Sequence, residues 1–239
     1  MVDRARQALV KLALKPEWEA KFEPNSYGFR PSRSCPQRGV VSPLLANIVL
    51  HGLEFDVKTA LMKDIMKYEK SKGKTGRTMK WYRNTRYADE FVVTRESREI
   101  VNKAKNYIVE WLKEIGLQLS ETKTRIAHTL KKVNDNLIGF NFLGFHMRQF
   151  KDWRSRQGFK TLIMPSKEAQ SRHIEVIRKR IRSAYAKKQK ELIGMLNPVI
   201  TGWCEYYLKS VAGKIFNKMK HQVFKMTWRW ACKRHPKKR

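Results

Sequence analysis

The sequence predicts an α+β fold, with a small antiparallel sheet near residues 80–164, flanking helices, and a helical module after Ser166. Three observations carry this. Apolar residues recur at helical spacing over several long stretches. Two β-rich runs, residues 81–87 and 91–94, bracket the acidic turn Ala88-Asp89-Glu90. Basic charge then climbs: residues 151–239 hold 24 Lys and Arg against 5 Asp and Glu, whereas residues 1–150 hold 28 against 16. The polar stretch 151–158 therefore marks a boundary between two modules, 1–150 and 151–239.

In order along the chain, residues 3–14 set Ala5, Ala8, Leu9, Leu12 and Ala13 at helical spacing behind Asp3, a good N-cap. Residues 24–39 carry Pro and Gly punctuation and read as loop. Ser42-Pro43 starts a helix, because proline fits a first turn. Leu44, Leu45, Ile48, Leu53, Val57, Leu61 and Ile65 continue one apolar stripe from there, and residues 70–77 form a basic loop. Past the acidic turn, Ile100, Ala104, Tyr107, Trp111 and Ile115 make an amphipathic helix stopped by Gly116. Short strands are predicted at 117–119, 125–128 and 137–145. The C-terminal module reads as about three helical segments, broken near Gly194–Pro198 and at Gly213.

Composition bounds the function. Hydrophobic residues make up 41%, enough for a core. Lys and Arg number 52 against 21 Asp and Glu, a net charge of +31 that repels itself unless a polyanion neutralises it. Nucleic acid does this by exchanging condensed counterions for bound cations. A membrane is not expected as a partner: no apolar run approaches the roughly 20 residues of a span, and Met1 leads into a charged stretch, not a signal peptide. Cys35, Cys204 and Cys232 lie far apart with no CxxC pair, which excludes a zinc ribbon or disulfide framework and suits a reducing cytoplasm or organelle matrix. The six histidines show no metal spacing, and no nucleophile triad is visible.

Three constellations could carry chemistry. Asp89-Glu90, at a turn between β-rich runs, could present carboxylates to magnesium, as two-ion polymerase sites do; a plain polar hairpin turn is the commoner meaning of such a pair. Gln37-Arg38-Gly39 precedes the helix start at Ser42, where backbone can approach a phosphate closely; an ordinary loop is the alternative. In the helical module, Arg178, Lys179, Arg180, Arg182, Lys187, Lys188 and Lys190 are followed by Trp203, Tyr206, Tyr207, Trp228 and Trp230. Basic residues among aromatics suit RNA, whose phosphates are neutralised while splayed bases stack. Against this stands a solvated face over an aromatic core, and most of the aromatics are expected in that core. The charge exceeds what a solvated face needs.

Taken in order, these pieces resemble group II intron reverse transcriptases (maturases). Phe22-Glu23-Pro24-Asn25-Ser26-Tyr27-Gly28-Phe29-Arg30-Pro31 looks like their fingers segment, and residues 37–48 like the palm motif written PQGGVISPLLANI. Tyr87-Ala88-Asp89-Glu90 looks like the YADD box, Gly116-Leu117-Gln118-Leu119-Ser120 like the primer-grip region, and Phe142-Leu143-Gly144-Phe145 like the last palm motif. Leu196-Asn197-Pro198 through Trp203, with Tyr206-Tyr207, looks like the maturase thumb. The resemblance implies RNA contacts at Arg30, Arg33, Arg178, Arg180, Arg182, Lys187, Lys188, Trp203, Tyr206 and Tyr207. It implies a nucleotide-pocket remnant at Gln37, Arg38 and Gly39, and a vestigial catalytic pair at Asp89 and Glu90, with Asp89 the metal ligand. Its partner would be structured group II intron RNA, with DNA as a second possibility.

The chain departs from the family in ways that bear on activity. Cys35 runs directly into Pro36, where relatives carry a long segment holding the first palm aspartate. Glu90 adds a methylene to the box, more than the roughly 0.5 Å an active site tolerates. Arg38 replaces a small glycine. Motifs before Asp3 and an endonuclease domain after Arg239 are expected to be absent. Polymerase activity is accordingly expected to be lost, with Mg2+ needed only if activity remains. The alternatives are an active reverse transcriptase completed by another chain as an oligomer, a non-functional remnant of a mobile element, and a generic basic architectural protein.

Overall fold

The computed structural model describes residues 2–22, 26–27, 41–73, 83–132 and 138–235. The fold is α+β and divides into two compact units, Met1–Ile126 and Ala127–Arg239.

The first unit holds α1 (Val2–Lys21), β1 (Ser26–Tyr27), α2 (Ser42–Val49), α3 (Leu53–Ser71), β2 (Arg83–Tyr87), β3 (Glu90–Thr94) and α4 (Arg98–Glu114). Helix α1 outruns its predicted end and passes through Pro16. Pro43 occupies the first turn of α2, as its fixed φ favours. The single stripe expected beyond it is two helices, because Gly52 turns left-handed at φ 89° between them. Leu53, Val57, Leu61 and Ile65 of α3, each four residues apart, meet Ile100, Ala104, Ile108 and Leu112 of α4 at the same spacing. This i, i+4 register puts both sets on facing stripes and makes the unit's core. Phe91 and Val93 of β3 pack against it. Helix α4 ends as predicted: Gly116 is left-handed at φ 74°, and the Leu117 N–H reaches the Leu112 carbonyl at 2.8 Å while Gly116 N–H reaches Lys113 at 3.0 Å.

The second unit holds β4 (Phe140–Phe142), β5 (Phe145–Lys151), β6 (Phe159–Pro165), α5 (Lys167–Ser183), α6 (Gln189–Tyr207) and α7 (Gly213–Arg234). Ser166 caps α5, its hydroxyl accepting from the Ala169 N–H at 3.1 Å. Ile177, Ile181, Ala184, Leu192, Leu196 and Trp230 form the core of the three helices.

Three expectations are corrected. The sheet is not one but two: β1-β2-β3, with β1 parallel to β2, and the antiparallel β4-β5-β6. Residues 117–119 and 125–128 are not strands; so short a run cannot form a ladder without a neighbour, and Leu119 simply packs on the α3–α4 core. Gly194 and Pro198 do not break α6. Leu192, Leu196, Val199 and Ile200 on that helix all join the core, which offsets the hydrogen bond proline forfeits. One break falls instead at residues 184–188, while the other, at 208–212, ends at Gly213 as expected. The two compact units divide at Ile126/Ala127, and β4–β6 contacts the helices after it: Val211 N–H donates to the Ile163 carbonyl at 2.9 Å.

At the end of α3 the first unit buries an ion pair, Glu69 with Arg95, side chains 0% and 2% exposed. Removing one partner strands a buried charge. Glu69→Ala or Arg95→Ala should therefore cost about 3–5 kcal/mol in denaturant unfolding, while replacing both with apolar residues of similar volume should recover most of the loss.

Candidate nucleic-acid interface and the acidic turn

Strands β2 and β3 pair antiparallel with Tyr87 opposite Glu90, leaving Ala88-Asp89 as the loop. Ala88 is left-handed at φ 57° and buried, while Asp89 and Glu90 are exposed. The hairpin turn read from sequence is thus formed. It is held by a residue the sequence did not single out. Arg86 is buried, and its guanidinium donates to Asn47 Oδ1 at 3.2 Å and to the Ala88 carbonyl at 3.4 Å. Asn47, buried on α2, lies in the motif of residues 37–48; Arg86 lies beside the acidic box. A charged residue and an amide inside two apolar motifs were the available signal, since buried polar groups need partners.

Among the described residues no group of three His, Cys, Asp or Glu side chains could hold a metal. The two aspartates of α3 are engaged elsewhere: Asp56 accepts from Trp111 Nε1 at 2.9 Å, and Asp64 pairs with Lys103 at 2.6 Å. Gln37, Arg38, Gly39, Arg30 and Arg33 lie outside the described residues, as does the junction at Cys35.

The basic residues of the second unit separate into two kinds. Arg178, Arg182, Lys187 and Lys188 are exposed, with Arg178 bonded to Glu175 one turn earlier. Arg180 is half-buried, and its guanidinium donates to the Met195 carbonyl, tying α5 to α6. It is a packing residue here and does not present its charge with its neighbours.

The aromatics also divide. Trp203 is half-buried, stacked on His173 at 4.6 Å and tilted against Tyr207 at 4.8 Å. Tyr207 is buried, and its hydroxyl donates to the Gly144 carbonyl at 3.2 Å; burial pushes its phenol pKa up. It offers no ring face to a base. Tyr206 is 55% exposed yet stacks on Phe145 and donates to the Leu143 carbonyl at 2.9 Å. Tyr206 and Tyr207 clamp the β4–β5 turn onto α6. Trp230 is buried, with its indole N–H on the Ala184 carbonyl at 3.1 Å. Trp228 is the exception, 61% exposed. Cys204 and Cys232 are free thiols. No helix among the described residues is long and apolar enough to cross a membrane.

Against known families, residues 6–147 match the model of the reverse transcriptase (RNA-dependent DNA polymerase), and residues 170–239 match that of the group II intron maturase-specific domain. No curated protein matches the chain.

Two outcomes follow from this geometry. Arg178→Ala with Arg182→Ala should weaken RNA binding and flatten its salt slope by up to about two phosphate contacts without moving the melting midpoint. Arg180→Ala and Trp203→Ala should instead lower that midpoint, with Trp203→Ala costing about 3 kcal/mol of stability, as for a large aromatic deleted from a packed cluster. His173 and His146 supply a pH dependence. Burial lowers the pKa of both below the ordinary 6.5, helped at His146 by the Arg148 charge. The unfolded chain then takes up these protons near 6.5 and the folded chain only at lower pH. Stability from this source is complete above 6.5 and is lost as pH falls from 6.5 through the folded pKa. Thermal melts should show a lower midpoint below pH 6.5, with a smaller drop in His173→Phe.

Proposed function

The chain belongs to the reverse transcriptase family, as a group II intron maturase derived from such an enzyme, and from this premise we propose that its work is to bind and stabilise folded intron RNA without polymerising DNA. The observation that carries the reading is the pairing of the maturase-specific region with the charge: residues 151–239 hold a net +19 of the chain's +31. In this reading α5–α7 correspond to the thumb and the β2–β3 hairpin to a remnant of the palm. The RNA performs its own splicing, and the protein supplies cations that offset phosphate repulsion in the compact fold. Such a partner places the protein in a bacterial cytoplasm or an organelle matrix.

Loss of polymerase activity is supported by three features. The Cys35-Pro36 junction omits the segment that carries the first palm aspartate in relatives. Asp89 and Glu90 stand at an exposed turn. Asp56 and Asp64, the nearest helical aspartates in sequence, are engaged with Trp111 and Lys103. A two-metal mechanism that lacks a bridging carboxylate loses the clamp on its attacking and leaving oxygens.

Folded group II intron RNA should bind more tightly than an unrelated RNA of equal length at matched salt. Affinity should fall with salt at a slope of about −0.7 to −0.9 per neutralised phosphate. Equal affinity for both RNAs would reduce the protein to a polyanion binder. Primer extension on an RNA template should be absent with magnesium or manganese; template-dependent synthesis that vanishes in Asp89→Ala would overturn the loss of activity.

A further inference from the structure

Helix α7 carries a surface that neither the core nor the acidic turn accounts for. Its inward face holds Met219 and Trp230, both buried, with Val223 and Met226 packed on the core. On the opposite face Phe224 and Trp228 are each 61% exposed, one turn apart, with rings stacked at 6.2 Å and 18°. Large apolar rings held together in solvent are an unusual use of aromatic surface in a unit that buries Trp230 and Tyr207.

The surroundings of the pair are cationic. Helix α7 includes Lys214, Lys218, Lys220, Lys225, Arg229, Lys233 and Arg234 and has no acidic residue. At about 100° per residue, Lys218, Lys225 and Arg229 fall within roughly 40° of one another and form a row beside the aromatic pair. Beyond that row lies a groove between α5 and α7 of about 800 Å³, lined among others by Lys167, Arg172, Arg178, Lys218 and Gln222. Glu175 alone brings negative charge to this lining, and it is already bonded to Arg178. A second copy of a chain at +31 would be repelled from this face.

We propose that this face of α7 is a stacking platform for unpaired bases of RNA, with the Lys218, Lys225 and Arg229 row and the α5–α7 groove holding the phosphates. Both rings are well exposed, and aromatic stacking accepts any base because every base has a π-face. The adjoining cations follow the backbone, so bases and phosphates of one splayed strand are met side by side. The inference rests on the RNA-binding reading above and specifies its ligand: a strand with exposed bases, not a continuous duplex.

The test compares a short unstructured oligoribonucleotide with a blunt RNA duplex of the same sequence, at matched salt, using the full chain. Phe224→Ala with Trp228→Ala should weaken single-strand binding about tenfold for each base that loses its platform. Duplex affinity and the melting midpoint should stay unchanged, and Trp228→Phe should keep most of the single-strand affinity. Replacing Lys218, Lys225 and Arg229 with Ala should weaken both ligands and flatten the salt slope by up to about three phosphates. Unaltered single-strand affinity in the double aromatic variant overturns the platform and leaves RNA binding standing. Equal losses on strand and duplex, or a lowered melting midpoint, also overturn it. Failure of the unaltered protein to bind either RNA would sink the RNA-binding reading itself.

Discussion

The second unit depends on the contact between Tyr207 and the β4–β5 turn. The tyrosine hydroxyl donates to the Gly144 carbonyl, and that same carbonyl accepts the Ser166 N–H at 2.8 Å. One oxygen thus ties the turn to the end of α6 and to the cap of α5. The turn closes with two consecutive left-handed residues, Leu143 at φ 50° and Gly144 at φ 78°. A Cβ at position 144 would lie 2.7 Å from the tyrosine oxygen, so a side chain there would both strain the backbone and displace the ring. Phe145, Trp203 and Tyr206 pack around this point at ring separations of 4.8–5.2 Å. The sheet and the helices act as one body because of it, which is why the compact unit starts before β4.

A rigid body is what a cationic surface requires. Seven basic residues on one helix repel each other, and they stay at defined spacing only if the backbone beneath them cannot rearrange. Trp230, Leu192, Leu196, Ile177 and Ile181 provide that base. Arg180 contributes from within: by capping the Met195 carbonyl it gives up its place in the exposed row to hold α5 against α6. Charge and packing are divided among neighbouring arginines according to which way each position on the helix faces.

In the first unit the hairpin and the helices are held by contacts that leave the acidic pair out. Arg86 satisfies its buried charge on Asn47 and on the backbone of the turn, so the hairpin is secured from α2 whether or not its carboxylates hold an ion. The stripes of α3 and α4 close over each other four residues at a time, and the buried Glu69–Arg95 pair fixes the end of α3 to the residue after β3. None of these contacts involves Asp89 or Glu90.

Local spacing determined most of the elements. The helix start at Ser42-Pro43, the hairpin around Asp89, the α4 stripe with its Gly116 stop and the N-terminal and C-terminal helices are legible in the sequence because each is set by residues within a turn or two of one another. The order of motifs along the chain likewise determined the family. Only the tertiary structure decided that residues 117–128 lack strands, that Pro198 sits inside a continuous helix, that the two sheets are separate, and that Arg86 and Asn47 meet. It also sorted the aromatics, placing Tyr207 and Trp230 inside and Phe224 and Trp228 outside, although Trp228 and Trp230 are two residues apart. Composition cannot make that distinction. On a helix two residues differ by about 200°, and which of the two directions is covered depends on α5 and α6, whose contacting residues lie far away in the chain.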